Sequence, residues 1–229
     1  MDKQHLKKIN DGLLKTFIDA GERSIKLREI GLKKEIKPDN TPVTNGDIEV
    51  NNILTKKIKN ITPDIPIVSE ESSSNKSNTE MNNFWLIDPI DGTYDYVNNK
   101  DEFTLNAALI INKKPELGII YAPAKKRLFY TYGFGLSFEL ADNKEIKLTC
   151  EKKTGQNEVK AVSYSENLKP VISELHKKFK VTDHTKMKSS LKFCVVASGE
   201  YDGYVAEPRA YEWDIAAGHA ILEHSGGSI

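Results

Sequence analysis

The stretch that decides the fold reads Phe84-Trp85-Leu86-Ile87-Asp88-Pro89-Ile90-Asp91-Gly92-Thr93. Its first four residues are aromatic or aliphatic and read as a buried strand. The run ends abruptly in two carboxylates, Asp88 and Asp91, with a proline between them and Gly-Thr behind. Acids at the end of a buried strand are costly unless something cationic pairs with them. Pro89 stiffens a turn, and Gly92 lets backbone approach a ligand closely. Thr93 supplies a hydroxyl where a helix can begin, and a helix start favours phosphate. The sum points to hard metal ions together with a phosphate.

Upstream of this stretch, residues from about Lys3 to Leu32 carry apolar side chains at helical spacing, with Gly31 as the stop. A polar connection, Lys33 to Asn40, leads into Thr44-x-x-Asp47, which has the form of a capping box. The helix it opens is expected to run to about Asn60, with Ile48, Ile53, Leu54 and Ile58 inward. Ile65 to Val68 reads as a short strand carrying Ser69-Glu70-Glu71 at its end. Ser72 to Glu80 reads as a mobile surface loop. Downstream, a helical turn is expected over Tyr94 to Asn99. A meander of strands follows over Thr104–Ile111, Leu117–Tyr121, Arg127–Tyr132 and Leu136–Leu140. After that the pattern changes to strands near 159–163, 181 and 201–205, with helices over 170–179, from Ser190, and over 214–225. The expectation is an α/β chain whose two halves form adjoining layers with a cleft between them.

Composition narrows the function. The 229 residues hold 33 Lys plus Arg against 33 Asp plus Glu, with 29% charged and 38% hydrophobic. That is an ordinary globular profile with a sizeable core. A neutral chain has no global field to hold a duplex, so no nucleic-acid polymer is expected as partner. Cys150 and Cys194 match no metal spacing and read as small core residues, which fits a reducing compartment. The first ten residues are too polar for a signal peptide, and no apolar run reaches the length of a membrane span. A cytoplasmic enzyme is the expectation, with loose attachment to the inner membrane face left open.

Four acids, Glu70, Asp88, Asp91 and Asp214, each lie at the edge of an expected buried element. Mg²⁺ prefers such carboxylate oxygens together with water and substrate phosphate. Two such ions can clamp the attacking and leaving oxygens of phosphoryl transfer, and Asp88 is the candidate bridge. Taken singly, each residue has a plainer reading. Asp214 would be a helix N-cap, Glu70 a solvated strand end, Asp47 part of a cap, and Thr93 a turn residue. Lys192 alone would be a solvated lysine. His219 and His224, five residues apart on one helix, cannot share a metal and read as packing or surface residues.

Asp88-Pro89-Ile90-Asp91-Gly92-Thr93 resembles the first signature of the inositol monophosphatase superfamily of Mg²⁺-dependent, lithium-sensitive phosphomonoesterases. Trp213-Asp214-Ile215-Ala216-Ala217-Gly218 resembles its second signature. Ser69-Glu70-Glu71 and Thr41-Pro42-Val43-Thr44-x-x-Asp47 match two further blocks in the right order. Glu102-Phe103-Thr104-Leu105-Asn106, Gly118 to Pro123 and Ser189 to Cys194 resemble the bacterial 3′(2′),5′-bisphosphate nucleotidase branch. The resemblance spans about Thr41 to Gly227. It implies an αβαβα sandwich in one domain: a lobe of two helices and an antiparallel sheet over about 1–148, and a smaller mixed α/β lobe over about 149–229. It implies metal ligands at Glu70, Asp88, the Ile90 carbonyl, Asp91 and Asp214, holding two or three Mg²⁺ ions. Thr93 would polarise the attacking water, assisted by Glu70 or Asp47. Ile90, Asp91, Gly92, Thr93 and Asp214 would contact the scissile phosphate, with Ser189 and Lys192 near a second one. The implied reaction takes adenosine 3′,5′-bisphosphate to AMP and phosphate, and the oligomeric state is left open to a homodimer.

Two departures from the family pattern bear on substrate choice. Ala206 stands where an arginine is expected before the second signature, with Arg209 as a substitute from the next turn. The chain also stops at Ile229, soon after Gly226-Gly227, where the resemblance implies a further strand. An unpaired sheet edge there would invite association. The rival readings are an inositol monophosphatase-like enzyme for sugar or polyol phosphates, and a catalytically impaired phosphate-binding protein.

Overall fold

The structure is a computed structural model that describes residues 1–37, 42–72, 81–150, 158–206 and 210–229. The chain opens with α1 (Lys3–Ile30), capped by the Asp2 side chain and stopped at Gly31. A short hairpin, β1 (Lys34–Ile36) and β2 (Pro42–Thr44), leads directly into α2 (Asn45–Ile61). Then come β3 (Ile67–Ser69), β4 (Phe84–Asp91) and one helical turn, α3 (Thr93–Val97). The meander follows as β5 (Thr104–Ile111), β6 (Lys114–Ala122), β7 (Arg127–Thr131), β8 (Ser137–Ala141) and β9 (Lys144–Lys147). The remainder is β10 (Lys160–Ser163), α4 (Pro170–Lys178), β11 (Asp183–Lys186), α5 (Leu191–Ala197), β12 (Gly203–Tyr204) and α6 (Glu212–His224).

Strands β3 to β9 form a seven-stranded sheet in sequence order. The β3–β4 pair is parallel and all later pairs are antiparallel. Alternation along its strands sorts side chains onto two faces. Trp85, Ile87, Leu105, Leu109 and Ile119 pack with Leu13, Phe17, Leu54 and Ile58 of α1 and α2. Leu86, Ala108, Ile110 and Ile120 pack instead with Cys194, Val195, Ala217 and Ile221 of α5 and α6. Val162 of β10 joins that second core from the far side, as part of a parallel three-stranded sheet ordered β11-β10-β12. Helix α4 sets His176 against His184 of β11. The layers therefore run helices, sheet, helices, sheet, helix, which is the αβαβα sandwich. Each fully buried Leu, Ile or Phe contributes roughly 1.5–3 kcal/mol to holding the layers together.

Several local expectations need correction. Ile48 is exposed, because the inward stripe of α2 runs through Asp47, Val50, Asn51, Leu54 and Ile58 and passes it by. The polar connection near residue 35 forms a hairpin strand, and β9 continues the meander past Leu140. The strand expected at Val181 lies at 183–186, and α6 begins two residues before Asp214. Cys150 and Cys194 are free, half-buried and buried respectively. Residues 73–80 of the expected loop, and Thr41 and Arg209, lie outside the described residues.

Candidate metal and phosphate site

The decisive stretch does not end at its first acid. β4 runs through Pro89 to Asp91, and its pairing with β5 contains an irregularity. Asp88 lies opposite Asn106, and Asp91 lies opposite Thr104. Three steps on β4 thus face two on β5, so β4 carries one extra residue, a β-bulge. In a regular strand, residues three apart point to opposite faces. The bulge restores them to one face: Ile87 and Ile90 both join the core beneath α1 and α2, and Asp88 and Asp91 both turn toward α5 and α6. Pro89 suits the bulge because it has no N–H to offer the ladder. Gly92 then turns the chain with φ of 92°, and a Cβ there would sit 2.9 Å from the Glu102 carbonyl oxygen. Only glycine tolerates both conditions.

Helix α6 brings Asp214 to the same place. It occupies the third helical position, where its Oδ2 accepts from the Tyr211 N–H at 2.9 Å. The plain reading of this residue as the N-cap is corrected: the N-cap is Tyr211, and Asp214 is the third-position partner in its capping box. It also does more: one oxygen each from Asp88, Asp91 and Asp214 lie within 4.8 Å of one another. Close packing of α6 makes this possible, since a Cβ on Gly118 of β6 would lie 2.5 Å from the Ala217 carbonyl oxygen. Glu70, at the end of β3, approaches the Asp88 carboxyl but lies outside that group of three. Its Oε1 receives Lys37 Nζ at 2.9 Å, and the same ammonium reaches Glu71 Oε1 at 2.9 Å.

Burial raises the three aspartates of this corner. Asp88, only 1% exposed, is pushed well above the ordinary aspartate range by burial and by the charges of Asp91, Glu70 and Asp214. Asp91 is raised to about 7, mainly by burial, against the pull of Lys192 and the Ser190 N–H and with a further push from Asp214. Asp214 is raised by burial, opposed by the Tyr211 N–H. Burial draws the Lys37 ammonium down, but its bonds to Glu71 and Glu70 leave it raised overall. Asp88 Oδ1 is buried with no hydrogen-bond partner among the described residues. An unmatched carboxylate oxygen beside two more aspartates fits a hard divalent cation, which takes carboxylate oxygens and neutralises the repulsion.

The hydroxyl partner is Asp47. Its Oδ2 closes the α2 capping box, accepting from Thr44 N at 2.8 Å and Thr44 Oγ1 at 2.5 Å. Its Oδ1 faces the Thr93 hydroxyl at 3.1 Å, which also lies 3.1 Å from the Ile90 carbonyl oxygen. Burial raises the Asp47 carboxyl and the bonds from Thr44 and Thr93 oppose that rise. Ser189 and Lys192 border the corner from the other side. Lys192 is buried, donates from Nζ to the Ser189 carbonyl oxygen, and lies 5.1 Å from the centre of the Tyr204 ring. From here a cavity of about 1230 Å³ opens, lined by Asp91, Asp214, Ser189, Lys192, Tyr164 and Tyr204 among others. Thus Asp88, Asp91, Asp214, Glu70 and Lys192 gather in one corner, with Asp47 and Thr93 joined beside it. His219 pairs with Glu223 and His224 with Thr131, as packing residues.

The model of the inositol monophosphatase family matches residues 2–229. The chain belongs to the inositol monophosphatase family. This family is Mg²⁺-dependent, which agrees with the acid corner. Among curated family members, the 3′(2′),5′-bisphosphate nucleotidase CysQ of Buchnera aphidicola subsp. Acyrthosiphon pisum is 39% identical over 203 residues, covering 84% of this chain and 72% of the relative. The protein of the same name from Salmonella typhimurium is 34% identical over 205 residues, covering 84% and 77%. Among solved family structures, CysQ from Bacteroides thetaiotaomicron superposes with a TM-score of 0.75 at 28% identity, covering 94% of this chain and 85% of that one.

The sequence readings overlooked Lys37, which carries no signal within its polar run. They also overlooked Ser190, although it adjoins the flagged Ser189 and Lys192. The bulge was visible only as a proline between two acids.

Proposed function

We propose that this chain is a Mg²⁺-dependent phosphomonoesterase that removes the 3′-phosphate of adenosine 3′,5′-bisphosphate, giving AMP and phosphate. The observation that carries this reading is the meeting of Asp88, Asp91 and Asp214 within 4.8 Å, beside the Thr93–Asp47 pair. Glu70, Asp88, Asp91, Asp214 and the Ile90 carbonyl would hold two or three ions. Bound Mg²⁺ supplies neutralisation of the phosphoryl charge. The chain's own groups do the rest. The Thr93 hydroxyl, with Asp47 as its acceptor, orients the attacking water and takes its proton, which passes to Asp47 Oδ1. A carboxyl already raised by burial suits that task. The Gly92 and Thr93 amides receive the phosphate. Phosphate-monoester hydrolysis needs accelerations of up to ~10²¹-fold. Positioning and charge compensation supply most of this in phosphoryl transfer.

The nucleotide enters the reading through the cavity. Ser189 and Lys192 meet the second phosphate, and Tyr164 and Tyr204 line the cavity beyond them, where a base would lie. The names of the CysQ relatives support the same substrate class. We further propose millimolar-range inhibition by lithium and a cytoplasmic setting, with one domain whose lobes meet near residue 148. Among the described residues no helix is long and apolar enough to cross a membrane. The test compares phosphate release from adenosine 3′,5′-bisphosphate and inositol phosphate with Mg²⁺. A strong preference for inositol phosphate overturns the nucleotide reading. Protein that binds Mg²⁺ and nucleotide yet releases no phosphate overturns the catalytic one.

A further inference from the structure

Thr104 and Asn106 belong to a sequence block to which the reaction as described gives no task. They stand directly across from the two acids of the bulge, Thr104 opposite Asp91 and Asn106 opposite Asp88. Being two residues apart, they share the face of β5 that looks toward α5. There they meet one residue, Ser190. The Ser190 hydroxyl lies 2.7 Å from Asn106 Oδ1 and 2.8 Å from Thr104 Oγ1, and the Ser190 N–H donates to Asp91 Oδ2. The three side chains are 0%, 1% and 2% exposed for Thr104, Asn106 and Ser190, so water does not compete for these bonds. A serine hydroxyl has one proton. With that proton given to Asn106, the Thr104 hydroxyl must donate to Ser190. The chain of donors therefore runs in one direction, from Thr104 through Ser190 to Asn106.

Ser190 also fixes the segment that borders the substrate. Ser189 has φ of 55°, a left-handed conformation uncommon for a residue with a side chain. Lys192 reaches back to the carbonyl of that same residue. The Ser189–Lys192 arm is thus folded on itself, and Ser190 bonds it to Thr104, Asn106 and Asp91 of the first sheet. Building on the phosphatase reading above, we propose that Thr104 and Asn106 are positioning residues. By clasping the Ser190 hydroxyl they aim its N–H at Asp91, and they tie the arm that carries Lys192 to the acid corner.

The test uses the full chain and reads Mg²⁺ affinity by calorimetry, beside melting temperature and the split between kcat and KM on the bisphosphate. Thr104→Val keeps the shape and removes the donated proton, whereas Thr104→Ser keeps the proton. We expect Mg²⁺ binding about fivefold weaker in Thr104→Val, the scale of one net hydrogen bond, and nearly unchanged in Thr104→Ser. Ser190→Ala, which keeps the N–H, should weaken binding at least as much, and adding Thr104→Val to it should do little more. Loss of the arm should also raise KM for the bisphosphate. Ser137→Ala serves as control, since Ser137 is a buried serine that bonds Thr131 and the Ile221 carbonyl at a distance in sequence from this corner. The clasp is refuted if Thr104→Val and Ser190→Ala bind Mg²⁺ as the parent does. It is equally refuted if Ser137→Ala, at matched melting temperature, loses as much affinity. Parent protein that took up no Mg²⁺ would instead sink the metal reading, and the clasp with it.

Discussion

Mg²⁺ should compete with protons at Asp91, and the size of that competition follows from the structure. The carboxyl titrates at about 7 when no cation is present, against an ordinary value of 3.8. At about pH 5.5 it is therefore roughly 97% protonated, and at about pH 8 roughly one tenth protonated. A metal ion must displace that proton. Its apparent association constant should fall about 30-fold between those two pH values from Asp91 alone, with Asp88, which is also raised, adding to the fall. The stability of the metal-free protein carries the matching sign. A carboxyl whose pKa is raised by folding contributes its full share of stability below 3.8, and that share is lost as pH rises through about 7. The loss for Asp91 is roughly 4 kcal/mol. Metal-free protein should thus melt progressively lower from about pH 5 to about pH 8, and the gain on adding Mg²⁺ should grow across the same range. Calorimetry in two buffers of different ionisation enthalpy, run at both ends, measures affinity and released protons together. Mg²⁺ affinity that stayed flat from about pH 5.5 to about pH 8, with no proton release, would refute this account of the acid corner.

Other perturbations have equally definite outcomes. Asp91→Asn should abolish turnover while leaving the circular dichroism spectrum unchanged, and its metal-free form should melt higher than the parent because a buried like charge is gone; near-normal phosphate release would remove Asp91 from the site. Thr93→Val and Asp47→Asn should each lower kcat by about 10²–10⁴-fold, and the double variant should be little worse than either, as steady-state assays can show; additive losses would mean they act separately. Gly118→Ala would drive a methyl against the Ala217 backbone, costing about 1–3 kcal/mol and weakening Mg²⁺ binding by moving α6. Thermal melts with and without Mg²⁺ follow both effects.

The fold was legible where one element's pattern is local. The apolar β5 and β6 strands, the α1 stripe and the Thr44–Asp47 capping box all appear in the structure near their expected bounds. The acid corner was legible because acids on apolar elements conflict with burial, and that conflict shows in sequence at Asp88 and Asp91. What escaped was relational. Ile48 is as apolar as Leu54, and only the azimuth of α2 against the sheet separates an exposed side chain from a buried one. Lys37 sits in a polar run, and only the return of β2 beside β1 brings it onto Glu70 and Glu71. Ser190 is one serine of a pair, distinguished by what lies across the layer boundary.

The offset in β4 has a consequence for anyone who would transplant this corner. Apolar residues count in twos as far as Ile87 and resume at Ile90, so the strand keeps two phases that agree only because one position is surplus. Deleting Ile90 would straighten the strand and leave a perfectly ordinary ladder. It would keep Asp88 across from Asn106 and Asp91 across from Thr104, now two residues apart and still on one face, but it would take the Ile90 side chain out of the core and its carbonyl away from the Thr93 hydroxyl. A graft must carry the surplus residue along with the acids, since the carbonyl that meets Thr93 belongs to it.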